Sequence, residues 1–422
     1  MPHGTTTGDN SVTFRRDPAA NPEGWLIVTM SFLALSVVFS ARSVLGLTMP
    51  LWEAELGWSR SFVSTGGALA LIVMAIVAPV AGNLVDRVGA RGLLVTGLVL
   101  TAAGMGLTAT AREPWQFLVY FSLLSGLGFG IVATHVVATV VTLAFPDRAG
   151  LPVGIATSGA TAGQLLVIPL LAVILVAIGW RNSYLALAIA TALLIPVVLF
   201  LVRPRPRPTA AASSSPDEPL GRRVGGLMRS RTFHLLFWSF FICGITTAGV
   251  IETHLLPYAA ACGYPPLSGA AAYGVLSAFN MAGMIASGWL TDRMNRPLLL
   301  GSIYLVRGLS FILLMFVIQD ISLLFVFAVV FGLFDYSTVP PTASLVASHL
   351  GLRVMGLAMG LISAGHAAGA AVGAFMGGWL FDLFARYQEL WIGSVVLALI
   401  AGAMVFFLRE NRSGTITAPL PA

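Results

Sequence analysis

Lysine is missing from this chain, and arginine supplies all 23 basic side chains. Cysteine is nearly as scarce: Cys243 and Cys262 alone exclude a disulfide framework or a cysteine-rich metal centre. Charged residues of both signs make up 9% of the sequence, against about a quarter in a soluble domain, so the chain cannot clothe a water-facing surface. Six scattered histidines show no His-x-x-x-His spacing, Cys-x-x-Cys is absent, and no glycine-rich loop ends in the Lys-Ser/Thr of a phosphate loop. No enzyme, metal, cofactor or nucleotide-driven pump is expected from such a composition. The exclusive use of arginine points to a GC-rich bacterial genome, which is an argument from codons.

What is present is apolar. Hydrophobic residues reach 57% and mean hydropathy is +0.90, and runs long enough to cross about 30 Å of hydrocarbon recur along the whole length. They fall near Trp25–Pro50, Ser61–Leu84, Gly92–Ala111, Trp115–Ala144, Val153–Ile178, Ser183–Val202, Phe233–Tyr258, Ser268–Leu290, Leu298–Ile318, Ile321–Ala347, Met355–Leu380 and Leu390–Leu408. These predict an all-α membrane protein with twelve transmembrane helices. The first run is too long for a signal core, so it is expected to stay as a helix. Counting from a cytoplasmic N-terminus, only Arg60, Arg112, Arg181 and Arg386 among the loop arginines fall outside. That bias predicts both termini in the cytoplasm and a multi-pass protein of the bacterial inner membrane. The net charge of +6 is an orientation signal and calls for no nucleic-acid partner.

The chain is also built twice. Gly82-Asn83-Leu84-Val85-Asp86-Arg87 returns as Gly288-Trp289-Leu290-Thr291-Asp292-Arg293, an offset of 206 residues, and the same offset carries Gly150, Gly154, Gly159 and Gly163 onto Gly356, Gly360, Gly365 and Gly369. A repeat of half the length implies two pseudo-symmetric six-helix bundles, 25–202 and 232–408, flanked by cytoplasmic tails 1–24 and 409–422. Between them, residues 203–231 are rich in Arg, Pro and Ser and read as an extended, solvated connector. Glycines inside spans four, five and eleven predict close helix contacts, since packing must supply association in lipid.

With twelve spans, the doubling, and Gly-x-x-x-Asp-Arg-x-Gly between spans two and three, the chain resembles the major facilitator superfamily over nearly its full length. That resemblance implies the major facilitator fold and a cytoplasmic latch formed by Gly82, Asp86, Arg87 and Arg91 and by Gly288, Asp292 and Arg293. These would govern switching and not touch substrate. Two further segments, Glu23-Gly24-Trp25 and Phe145-x-x-Arg148-x-x-Leu151-x-x-Gly154-x-Ala156, are similar to the monocarboxylate transporter branch and its bacterial relatives. Arg42-Ser43 stands where that branch places a basic residue that helps hold a carboxylate. The branch's Asp and Arg a turn apart in span eight are not matched, because Asn280 is the polar residue there.

Ionisable groups at membrane depth cost about 2.5 to 3.5 kcal/mol each, so each is a candidate. Arg42 lies roughly 25 Å into span one and is expected to meet an anionic substrate, with snorkelling to the outer interface as the alternative. Arg307 and Asp335 lie at matching depths in spans nine and ten, roughly 15 and 16 Å from the cytoplasmic side. They predict a buried ion pair, with a substrate or proton role as the alternative; in such a pair, Arg307→Ala alone would do more damage than removing both charges. Glu252 and His254, before Pro257, are candidates for proton coupling together with Asp335. Asn280, Gln164 and His366 could bind substrate or stitch helices, and His135 in span four has the same two readings.

The expected function is a single-copy carrier in the lipid bilayer, importing a small organic anion, a mono- or dicarboxylate, with a proton. Inward movement of an anion against about 2.3 kcal/mol per charge per 100 mV requires compensation, and symport supplies it. A proton-coupled exporter of drugs or metabolites is the alternative, although Gly163-Gln164 stands where such antiporters place Gly-Pro. A non-transporting sensor is the third reading.

Overall fold

In lipid every backbone amide and carbonyl must be satisfied inside the protein, by a helix or a closed barrel, and continuous apolar runs of about 20 residues select the helix. The computed structural model describes residues 21–58, 60–202 and 219–410, and among them it shows helices and no strands. Eleven stretches are long and apolar enough to cross a membrane, from Pro22–Thr48 to Gln388–Phe406. The remaining crossing, span five, runs from Gly150 to residue 178 and is interrupted by a π-helical turn at Gly163–Val167. The twelve-helix expectation therefore stands, with boundaries a few residues from those read in the sequence.

Two hairpins turn on single glycines. Gly89 (φ 72°, ψ 174°) separates spans two and three, and Gly179 (φ 78°, ψ 170°) separates spans five and six. Both lie at positive φ, where a Cβ is strained. Moving Gly179 forward by the repeat offset gives Ala385, the one non-glycine residue at positive φ (53°) among the described residues.

Inside the first bundle, Asn21 caps span one by accepting from the Gly24 amide at 2.9 Å and donates to the Ala144 carbonyl at 3.0 Å, tying the start of span one to the end of span four. At the opposite end Trp52 is fully buried and its ring lies 5.0–5.7 Å from those of Trp58, Phe117, Trp180 and Tyr184. The nearby Glu55 carboxylate accepts from Trp180 Nε1 at 2.7 Å and pairs with Arg181. These contacts hold Glu55 below its ordinary carboxyl range.

The connector departs from the extended form expected of it. Residues 203–218 lie outside the described residues, but Leu220–Arg229 is a helix that buries Leu227 and lays Val224 against the core. Arg223 reaches from it to both bundles, donating to Asn83 Oδ1 at 2.9 Å and to the Arg353 carbonyl at 3.0 Å.

Candidate functional site

The four repeated glycines explain how the halves meet. A Cβ on Gly82 would lie 2.0 Å from the Gly356 carbonyl oxygen, and one on Gly288 would lie 2.4 Å from the Gly150 carbonyl oxygen. Since Gly82 maps onto Gly288 and Gly150 onto Gly356, these are one contact made twice about the pseudo-twofold axis: spans two and eleven, then eight and five. The next turn repeats the pattern, with Gly154 against Met284 and Gly360 against Ala78. Such approach is available only without side chains. Gly159 and Gly163 in turn press on the Phe32 and Ser36 carbonyls of span one, within the first bundle.

These backbone crossings lie in the halves of the helices nearest the linker. The linker side is therefore shut in this conformation. Of the residues expected to form a latch, Asp292 accepts from the Gly150 and Leu151 amides, both at 2.9 Å, so it ties span eight to the first turn of span five across the seam. Arg293 instead folds onto its own helix, 4.1 Å over the Trp289 ring and donating to the Trp289 carbonyl at 3.2 Å. Arg91 is half-buried just beyond the Gly89 turn. The side chains of Asp86 and Arg87 lie outside the described residues.

Deeper in, the structure gathers residues from both halves. Arg42 is half-buried, with its guanidinium 4.7 Å over the Phe39 ring. Among the described residues it makes no ion pair. Tyr336 donates its hydroxyl to Glu252 Oε1 at 2.7 Å, while its amide donates to Asn280 Oδ1 at 3.3 Å. Asn280 in turn donates from Nδ2 to Asp335 Oδ2 at 3.1 Å. Tyr336 thus touches half-exposed Glu252 with its hydroxyl and, at the other end of its ring, Asn280 with its amide, and Asn280 carries the contact to buried Asp335, whose Oδ1 has no hydrogen-bond partner.

The expected Arg307–Asp335 ion pair does not form. Span ten breaks at Asp335, where a short 3-10 turn, Tyr336–Thr338, separates two α-helical pieces and frees the Asp335 carbonyl. Arg307, wholly buried, donates to that carbonyl at 3.3 Å, to Cys243 Sγ at 3.1 Å and to Thr246 Oγ1 at 3.2 Å. Pro340 and Pro341 cannot continue the helix through residues 336 and 337, and the carbonyl freed there, not the carboxylate, meets the cation. Stranding a buried acceptor costs about 1–3 kcal/mol, and Arg307→Ala removes the donor from three. We expect a lowered melting temperature in detergent, not restored by adding Asp335→Asn; restoration by the double substitution would reinstate the charge pair.

The remaining candidates scatter. His254 is buried against spans eleven and twelve, its Nε2 3.0 Å from the Ala374 carbonyl and its ring over Gly377 and beside Tyr387, on a different face of span seven from Glu252. His366 stands 3.4 Å from Thr247 Oγ1 and against Phe240. Gln164 is half-buried in the π-helical turn of span five, and His135 is buried with Nε2 unpartnered. Sequence reasoning missed Cys243 and Thr246 as acceptors for Arg307. Only a pairing of helix faces could have found them.

Two mirrored bundles closed along one edge, with an unpaired cation at membrane depth between them, define a membrane carrier. The sequence matches the pattern of the Major Facilitator Superfamily over residues 31–316 and 289–422, and the chain belongs to that family. It is 26% identical over 369 residues to an uncharacterised MFS-type transporter, YcxA, of Bacillus subtilis, covering 86% of this chain and 90% of that one. It is likewise 26% identical to monocarboxylate transporter 13 of Rattus norvegicus, covering 96% and 91%. Among solved structures, FucP in its outward conformation superposes with a TM-score of 0.72 at 16% identity, over 92% of this chain and 100% of the other. The protein is thus a multi-pass membrane transporter.

Proposed function

We propose that this transporter moves a small organic anion, a mono- or dicarboxylate, into a bacterial cell together with a proton, by alternating access with the linker side in the cytoplasm. The observation that carries the reading is Arg42: a half-exposed guanidinium at membrane depth, with no carboxylate in ion-pair reach among the described residues. A cation kept there without a partner needs an anion from outside the chain. Several relatives are named monocarboxylate transporters, which fits such a ligand.

Glu252, at the edge of the cleft, takes the proton, and the Tyr336–Asn280–Asp335 path couples its charge to the break in span ten. Substrate on Arg42 and a proton on Glu252 together leave the cleft less charged than either alone, which favours closure over a filled site. His254 has no place in this path, since its ring is held by the Ala374 carbonyl. Asn280 serves the path and not the substrate.

Proteoliposomes with a pH-sensitive dye inside test this. Adding a monocarboxylate outside is expected to acidify the lumen, and Glu252→Gln is expected to keep exchange of labelled anion while abolishing acidification. Alkalinisation on adding a drug would identify an exporter, and acidification unchanged in Glu252→Gln would remove Glu252 from the proton path.

A further inference from the structure

Beside the Gly150–Gly288 crossing, on the linker side, lies a separate cavity of about 210 Å³ lined by Trp25, Arg148, Leu151, Pro152, Asp292 and Arg293. Its walls come from both halves: span one and the entry to span five on one side, the end of span eight on the other. Separation of the crossing would pull these walls apart.

The lining carries two guanidinium groups against one carboxylate, a net positive charge. Arg148 is exposed and makes no ion pair among the described residues. Among the described residues Arg293 makes no ion pair and meets the Trp289 ring and carbonyl. Asp292 is the one acid in the lining, and both its oxygens are taken by the Gly150 and Leu151 amides at 2.9 Å. Two guanidinium forks around one cavity match the oxygens of a phosphate, which they bind in bidentate fashion. The other walls are apolar and aromatic: Leu151, Pro152, and Trp25, whose ring stands edge-on to Phe145 at 5.6 Å. Tryptophan at the start of a span marks the headgroup level of the bilayer, and basic pockets between spans on this side suit anionic headgroups.

We propose that this cleft binds the phosphate of an anionic phospholipid from the linker-side leaflet, and that the bound headgroup, bridging Arg148 of one half and Arg293 of the other, holds the linker side shut. A ligand held by both halves in one conformation and divided in the other shifts the balance between them.

The full-length protein, reconstituted in phosphatidylcholine with or without phosphatidylglycerol, tests the site by hydrogen exchange of the first turn of span five, whose amides Asp292 fastens. Phosphatidylglycerol is expected to slow that exchange at least about fivefold, the lower range of coupling between two sites. The paired substitution Arg148→Gln with Arg293→Gln is expected to abolish the slowing, while its melting temperature in phosphatidylcholine stays that of the parent. A single-sided alternative, Arg148→Gln alone, should lose most of the effect and guards against misfolding of the double variant. Slowing that persists in these variants would reduce the effect to bulk surface charge and overturn the site, as would no slowing in the parent. Adding glycerol phosphate to phosphatidylcholine vesicles separates the sources: slowing by the soluble ester alone would keep a phosphate site and overturn its lipid origin, and no slowing supports the lipid.

Discussion

Arg42→Gln is expected to reduce uptake of an anionic solute at least about thirtyfold, through binding. Truncating one member of a charge-assisted pair costs about 2–5 kcal/mol, and 2 kcal/mol is roughly thirtyfold in affinity. Within the chain the guanidinium rests on the Phe39 ring at 4.7 Å, a weak anchor, so thermal unfolding of the variant should match the parent. The effect should appear in KM more than in turnover, and Arg42→Lys should recover part of it, since the point charge survives but the fork does not. Unaltered uptake by Arg42→Gln would refute the electrostatic reading of the cleft.

Valine at Gly82 or at Gly356 should be comparably damaging for a different reason. A Cβ on either would lie 2.0 or 1.9 Å from the other's carbonyl oxygen, and no side-chain rotation relieves a clash with backbone. Overpacking of this kind costs about 1–3 kcal/mol, which is roughly five- to 150-fold in the population of the shut state. Transport should fall by a similar factor, and hydrogen exchange around residues 78–82 and 356–360 should rise. Because the crossing recurs about the pseudo-twofold axis, Gly288→Val should do the same at Gly150. Gly393→Ala, where a Cβ would meet nothing within 4 Å, is the control expected to be silent. Full activity in Gly82→Val would mean that the seam does not need backbone contact.

Much of the fold was legible because lipid leaves so few solutions. Long apolar runs fix the helices, and the offset between Gly82 and Gly288 fixes the doubling. The same offset, carried to Gly150 and Gly356, even contained the pairing across the seam, although only coordinates reveal that each glycine meets the image of the other's partner. The site was legible residue by residue and not as a network. Arg42, Glu252, Asn280 and Asp335 announce themselves by polarity at depth. The partner chosen by Arg307 does not: Pro340-Pro341 signal the break that frees the Asp335 carbonyl, but which side chain meets that carbonyl depends on how spans nine and ten face each other. His254 failed for a related reason: its distance from Glu252 in sequence is two residues, yet on a helix that turns them to different neighbours.

The hold of Arg223 on Asn83 and on the Arg353 carbonyl divides the connector into parts of unequal tolerance. A reporter domain grafted, or a protease site cut, within residues 203–218 leaves the fastening helix docked on its bundles. The same graft between Arg223 and Ser230 would pry that helix from the Gly82–Gly356 crossing beneath it, so a fluorescent fusion placed there would alter the motion it was meant to report.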